Sequence, residues 1–199
     1  MEPRLDDTED KRLMAALAGG DDLALNTIML RWQRPVRAFV LRYLANASDA
    51  DDLVQETFVR VYRHRARYEP RSRFSTWLFT IAVNLCRNHA EKMGRRAAES
   101  LDASADPSDS GASARPREHA SSEPGPADEA LTRERAAAVR TAIQELPADL
   151  RAAVILFEYE ELSHTEIAVI AGTTPKAIET RLYRARATLK EKLARWLRR

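Results

Sequence analysis

The residues best suited to chemistry lie between Leu162 and Leu189, in the stretch LSHTEIAVIAGTTPKAIETRLYRARATL. Lys176, Thr180, Arg181, Arg184 and Arg186 offer cations and a hydroxyl at helical spacing, with Thr174 and Ala177 at the start of the same run. Their chemistry is the binding of a polyanion. From Pro175 to Arg199 there are nine Lys/Arg against Glu179 and Glu191, the electrostatic footprint that phosphate contacts require. Charge alone favours an ordinary solvated basic face. The local signals around it decide for DNA.

Those signals describe two short helices and a tight turn. Ser163 and Glu166 have the spacing of a capping box. Ile167, Ala168 and Ile170 follow, and Gly172 stands where a left-handed residue would end the helix. Thr174-Pro175 is a second start signal, an N-cap followed by proline at the first helical position. Ile178, Leu182, Ala185 and Leu189 recur at three or four residues and give the second helix one apolar face. Two helices joined by a glycine-containing turn form a helix-turn-helix. Its second helix presents N-terminal residues to a major groove while later cations hold the backbone.

The whole chain has 199 residues and a net charge of only +2, so the distribution of charge, not its total, points to nucleic acid. A single cysteine, Cys86, excludes an intrachain disulfide and fits a reducing cytoplasm. No apolar run approaches the ~20 residues of a membrane span, and the opening MEPRLDDTED does not read as a signal peptide. No glycine-rich phosphate loop or nucleophile elbow occurs. His64, His89, His119 and His164 are scattered, and Cys86 lies near only His89, so a four-ligand metal site is not expected. The expectation is a cytoplasmic protein that is not an enzyme and carries no cofactor or metal.

Taken in order, residues 9–46 read as helical. Leu13, Met14 and Leu17 start a pattern that Gly19-Gly20 interrupts; Asp21-Asp22 precede a second helix, in which Pro35 predicts a break or kink. Ser48 is placed to cap a helix whose Leu53, Val54, Thr57, Phe58, Val61 and Tyr62 face a core. Its other face begins acidic, with Asp51, Asp52 and Glu56 around Gln55, and ends basic. That order suits the helix dipole, and it suits a partner-binding patch equally.

In residues 69–96, Arg71 and Arg73 frame a helix start near Ser72, and Phe74, Trp77, Leu78, Ile81 and Leu85 repeat as a core face. Thr76, Thr80, Asn84, Arg87 and Asn88 line another face, where amides and arginines suit unpaired bases. Trp77 belongs to the apolar stripe and reads first as a core anchor. From Ala97 to Ala130 the pattern dissolves into Ala, Ser, Pro and acids, a composition too poor in apolar surface to offset ordering entropy. The fold expected is therefore all-α: a helical domain over 1–96, a flexible acidic linker over 97–130, and a second helical domain over 131–199 that holds the helix-turn-helix.

With these parts in place, the chain resembles an extracytoplasmic-function (ECF) sigma factor of the sigma-70 family. The matching stretches are SDADDLVQETFVRVYR, RFSTWLFTIAVNLCRN, LPADLRAAVILFEYEELSHTEIAVIAG and ETRLYRARATLK. The resemblance implies that Asp51, Asp52, Gln55 and Glu56 grip the β′ coiled coil of core RNA polymerase. It implies that Arg71, Arg73, Trp77, Asn84, Arg87 and Asn88 read and melt the −10 promoter element. Thr174, Lys176, Ala177, Thr180, Arg181, Arg184 and Arg186 would then read the −35 element as duplex. The partners implied are core RNA polymerase (β′ and β subunits), promoter DNA and, as in many members, an anti-sigma factor. Glu179 and Lys176 depart from residues frequent in the recognition helix, which points to an atypical −35 sequence. The alternative is a helix-turn-helix regulator that binds duplex DNA without polymerase; it would need neither the acidic face nor the aromatic-lined helix.

Overall fold

The computed structural model describes residues 6–103 and 126–197, and every regular element among them is helical. The first unit comprises α1 (Asp7–Ala18), α2 (Leu23–Leu44), α3 (Ala47–Arg63), a 3-10 turn (Arg65–Arg67) and α4 (Phe74–Ala103). The second comprises α5 (Pro126–Gln144), α6 (Ala148–Glu158), α7 (His164–Ala171), α8 (Pro175–Lys192) and α9 (Ala194–Leu197). The all-α expectation and the helix-turn-helix of α7 and α8 are both realised.

Several local expectations need correction. Helix α2 runs through Pro35 without a break. Proline removes one backbone donor, but Trp32, Val36, Phe39, Val40 and Tyr43 around it are all buried, and burial of each large side chain contributes about 1.5–3 kcal/mol. Asn46, not Ser48, caps α3: its side chain accepts from the amides of Ser48 and Asp49 at 3.0 and 3.2 Å. Helix α4 begins at Phe74, later than the expected start near Ser72, and its first amide donates to the Asp7 carboxylate of α1. Helix also enters both ends of the span expected as a tether, since α4 continues to Ala103 and α5 starts at Pro126. Extending an existing helix through Ala97, Ala98 and Glu99 needs no new nucleus, so composition underestimated it. The remainder of that span, 104–125, lies outside the described residues.

An aromatic cluster organises the first unit. Trp32 meets Phe74 and Phe79 edge-on at 5.6 and 6.3 Å, and Phe39 meets Phe79 at 5.5 Å. Helix α1 is tied to this core by Asp10, buried against the Arg31 guanidinium at 2.8 Å. In the second unit, Ile155, Leu156, Ile167, Ile178, Leu182 and Ala185 are buried where α6, α7 and α8 converge. The units touch each other where α2 meets α5 and α6, and where α4 meets α7.

Candidate nucleic-acid and partner interfaces

The helix-turn-helix is built as its sequence suggests. Ser163 N–H donates to Glu166 Oε2 at 2.8 Å and Glu166 N–H donates to Ser163 Oγ at 3.3 Å, closing the capping box. Gly172 adopts φ 62°, and the following Thr173 N–H donates back to Ala168 O at 2.9 Å. A Cβ on Gly172 would meet nothing within 4 Å, so the backbone conformation, not space, selects glycine. The Ala177 N–H then donates to Thr174 Oγ1 at 3.2 Å, starting α8 with Pro175 in its first turn. Ile178, Leu182 and Ala185 point into the core.

The cations of α8 fall into two sets. Lys176, Thr180 and Arg184 are exposed, Lys176 resting 2.7 Å from Glu179 and holding that carboxyl below its ordinary value. Arg181 instead pairs with Asp149 at 3.3 Å and is only 26% exposed. Arg186 pairs with Glu158 at 2.8 Å and lies over the Phe157 ring. These two brace α8 on α6 as well as adding charge. Ala177 is half-buried. Sequence reasoning missed Tyr183, a largely exposed ring beside Arg184 whose signal was its polar-face position among the arginines.

On α3, Asp52 and Gln55 are exposed, whereas Asp51 is held by Arg37 at 2.6 Å and Glu56 by Arg60 at 2.8 Å. The hydrogen bond from Arg37 lowers the Asp51 carboxyl below its ordinary value. Beside this face lies an apolar groove of about 470 Å³ between α2 and α3, lined by Leu25, Met29, Phe58, Val59 and Tyr62 with Gln55 at its edge. Val59 and Leu30 are exposed apolar side chains on the same two helices. Sequence periodicity assigned most of these positions to the core; α2 and α3 leave a cleft that periodicity cannot see.

Helix α4 carries the remaining candidates. Asp7 Oδ1 accepts the Phe74 N–H at 2.8 Å, so the cap of α4 comes from α1. Trp77 is half-buried between Tyr68 at 5.3 Å and Phe74 at 6.1 Å, both anchor and partly accessible ring. Asn84 and Asn88 are exposed and share a face with half-buried Arg87. Arg71 is exposed, while Arg73 reaches Glu166 of α7 at 3.4 Å. Thr76 is buried and leaves the polar face on which its spacing placed it. Cys86 is buried, and burial pushes its thiol up to about 12, which makes it inert. Among the described residues, no group of three His, Cys, Asp or Glu could hold a metal ion, and no helix is long and apolar enough to cross a membrane.

Fold and surfaces together define a two-unit helical protein with a DNA-reading helix-turn-helix in one unit and an acidic, groove-bearing face in the other. Comparison with known proteins makes that class specific. Residues 28–96 match the sigma-70 region 2 family and residues 136–189 match sigma-70 region 4. The chain is 32% identical to the RNA polymerase sigma-H factor of Pseudomonas aeruginosa over 96% of both chains. It is 34% identical to the ECF RNA polymerase sigma-E factor of Escherichia coli K12, covering 96% of this chain and 97% of that one. Among solved structures, the sigma factor RpoE of Bartonella quintana, in complex with the anti-sigma factor NepR, superposes with a TM-score of 0.67 at 26% identity. That match covers 85% of this chain and 96% of the other. The chain belongs to the ECF group of the sigma-70 family and is an RNA polymerase sigma factor.

Proposed function

We propose that the first unit docks on core RNA polymerase through Asp51, Asp52, Gln55 and Glu56, and that the adjoining apolar groove receives the partner's helix. Acidic side chains at the rim steer and orient a basic partner, and the groove supplies apolar burial. Docking brings two DNA-reading surfaces to the promoter. Arg71, Arg73, Trp77, Asn84, Arg87 and Asn88 on and before α4 take unpaired −10 bases, with the half-buried Trp77 ring offered for stacking. Capture of extruded bases drives melting, so the chain contributes binding while RNA synthesis belongs to the polymerase. Thr174, Lys176, Ala177, Thr180, Arg181, Arg184 and Arg186 hold the −35 duplex. Lys176, Thr180 and Arg184 make its outer contacts, and Arg181 and Arg186 do so once drawn from Asp149 and Glu158. Acting beside polymerase, the protein works in the cytoplasm. An anti-sigma factor would act by covering these same surfaces.

The observation that carries this reading is the pairing, on one chain, of an acidic groove-bearing face with an outward basic recognition helix. A duplex-DNA regulator needs only the second. Reconstitution with purified core polymerase tests it: the wild type should bind core and produce new run-off start sites from a genomic fragment library. Asp52→Lys with Glu56→Lys should lose core binding while keeping the helical fold. If that double variant binds core as the wild type does, the docking face is misassigned. If the wild type does not bind core at all, a regulator acting without polymerase is the better account.

A further inference from the structure

Glu179 is an acid among the cations of α8, and neither it nor its partner stands where helix stability would put it. Lys176 Nζ lies 2.7 Å from Glu179 Oε2, with the two side chains 81% and 56% exposed. Lys176 is in the first turn of α8, where a cation opposes the helix dipole. A lysine that precedes its glutamate is also the weaker order for an ion pair along a helix. A pair so open to water adds little to stability in any case. A carboxylate on a face turned to phosphates works against non-specific binding as well. Neither stability nor bulk charge accounts for this pair.

The same turns present little else to a groove. Pro175 and Ala177 have no polar side-chain atom, and Ile178 is buried. The Thr180 hydroxyl donates to Lys176 O at 3.0 Å, so it offers a base no proton. What projects from the start of the recognition helix is one donor and one acceptor, side by side. The hydrogen bond from Lys176, then its charge, and more weakly the charge of His164 hold the Glu179 carboxyl below its ordinary value. At neutral pH it is therefore ionised and can only accept.

An acceptor discriminates among bases in the major groove. Guanine and thymine turn acceptors toward it, and adenine sets its N7 acceptor beside its amino group; cytosine shows an amino group alone. The guanine paired with that cytosine places O6 next to cytosine N4, the two joined by a hydrogen bond of about 2.9 Å. The base pair thus shows a donor beside an acceptor, and the protein shows the complement with its own two atoms 2.7 Å apart.

We propose that Lys176 and Glu179 together read one C·G base pair of the −35 duplex, Glu179 accepting from cytosine N4 and Lys176 donating to guanine O6. This deepens the assignment of α8 to duplex DNA and rests on it, naming what the helix selects there. The two side chains are paired before DNA arrives, so less freedom is lost on binding. Reversal to G·C sets guanine O6 against the carboxylate, so orientation is read along with composition.

Selection from duplex DNA tests the assignment. The full chain, alone and assembled with core polymerase, is offered a pool with a randomised window of about 20 base pairs, two helical turns. The retained duplexes are sequenced. The wild type should fix one C·G pair in a single orientation, about tenfold over other pairs at that position. Glu179→Gln, whose amide both donates and accepts, should move that preference to adenine and leave the other fixed positions unchanged. Lys176→Ala should remove most of the preference at the same pair. Both variants keep the Thr174 cap and the buried face of α8, so their circular dichroism should match the wild type.

Fixed pairs identical in the wild type and Glu179→Gln overturn the proposal and leave the duplex assignment of α8 standing. Effects of the two variants at different pairs overturn the joint reading. Uniformly weaker binding by Lys176→Ala, with preference unchanged, makes that lysine a phosphate contact and overturns it too. A pool with no fixed pair in either selection overturns both this proposal and the duplex assignment. A fixed C·G pair retained by the chain alone, without core binding, supports the base reading and sinks the sigma-factor assignment.

Discussion

Helices α4 and α8 both carry candidate nucleic-acid residues, yet they begin in opposite ways. Helix α8 starts on its own Thr174, whose hydroxyl accepts the Ala177 amide, with Pro175 preset for the first turn. Helix α4 starts on Asp7, 67 residues away on α1. That helix is in turn fastened by Asp10 to Arg31 and by an Arg31 donation to Asp6 O at 3.3 Å. The recognition helix therefore carries its start with it wherever the second unit goes. The start of α4, with Arg71, Arg73 and Trp77 around it, is only as well placed as α1 is docked. Residues 28–96 match the family, so α1 lies outside the matched span while setting the geometry within it.

The largest effect that could break this contrast is in the cores beneath the two starts. Phe74→Ala removes a fully buried ring that touches Trp32 and Tyr68, and should cost about 3–5 kcal/mol by urea unfolding. Ile178→Ala under α8 should cost about 2–5 kcal/mol. Hydrogen exchange should show the first loosening α1 together with α4, and the second confined to α6–α8. If Phe74→Ala leaves α1 fully protected, the dependence of α4 on α1 is wrong.

A smaller and sharper pair concerns the caps. Asp7→Ala should cost about 1 kcal/mol and raise exchange at the Phe74 amide, whereas Asp7→Asn, which keeps an acceptor oxygen, should retain most of the protection. Thr174→Ala should cost a similar amount, felt at Ala177 and not at Phe74. Equal exchange at Phe74 in the alanine and asparagine variants would show that the acceptor is not what holds the start of α4.

Acid should separate the two starts without mutation. Burial alone would raise the Asp7 carboxyl, but hydrogen bonds from Lys11 and the Phe74 amide, with the charges of Lys11 and Arg73, hold it below its ordinary 3.8. A carboxyl depressed in the folded state stabilises above its unfolded value, and the gain is lost as pH falls through the folded one. Phe74 exchange protection, corrected for intrinsic rate, should thus decline below about pH 4. The Thr174 hydroxyl does not titrate, so Ala177 should keep its protection there, apart from any global unfolding. The smallest effect is expected at Lys176→Ala: its pair with Glu179 is fully open to water, so thermal unfolding should not change measurably.

Much of the second unit was legible because its signals are local. The Ser163–Glu166 box, Gly172 and Thr174-Pro175 act within a few residues, so spacing alone locates both helices and the turn. The first unit gave up its apolar faces but not its details. Ser48 looked like a cap because hydroxyls cap well, yet Asn46 had the β-region backbone and reached two amides. Pro35 looked like a break because its local cost is real, yet the buried side chains around it outweigh one missing donor. Thr76 looked like part of a polar face, yet tertiary packing buries it.

By itself, the sequence determined the helical class, the two units, the recognition helix with its basic face, and the acidic start of α3. Each follows from residue periodicity or capping within a turn or two. Only the tertiary structure decided that Asp7 starts α4, that α2 and α3 leave an apolar groove, and that Arg151 and Gln144 satisfy the end of α2. These features depend on donors and acceptors brought together from distant positions, and a buried polar group accepts a partner by geometry, not by its separation along the chain.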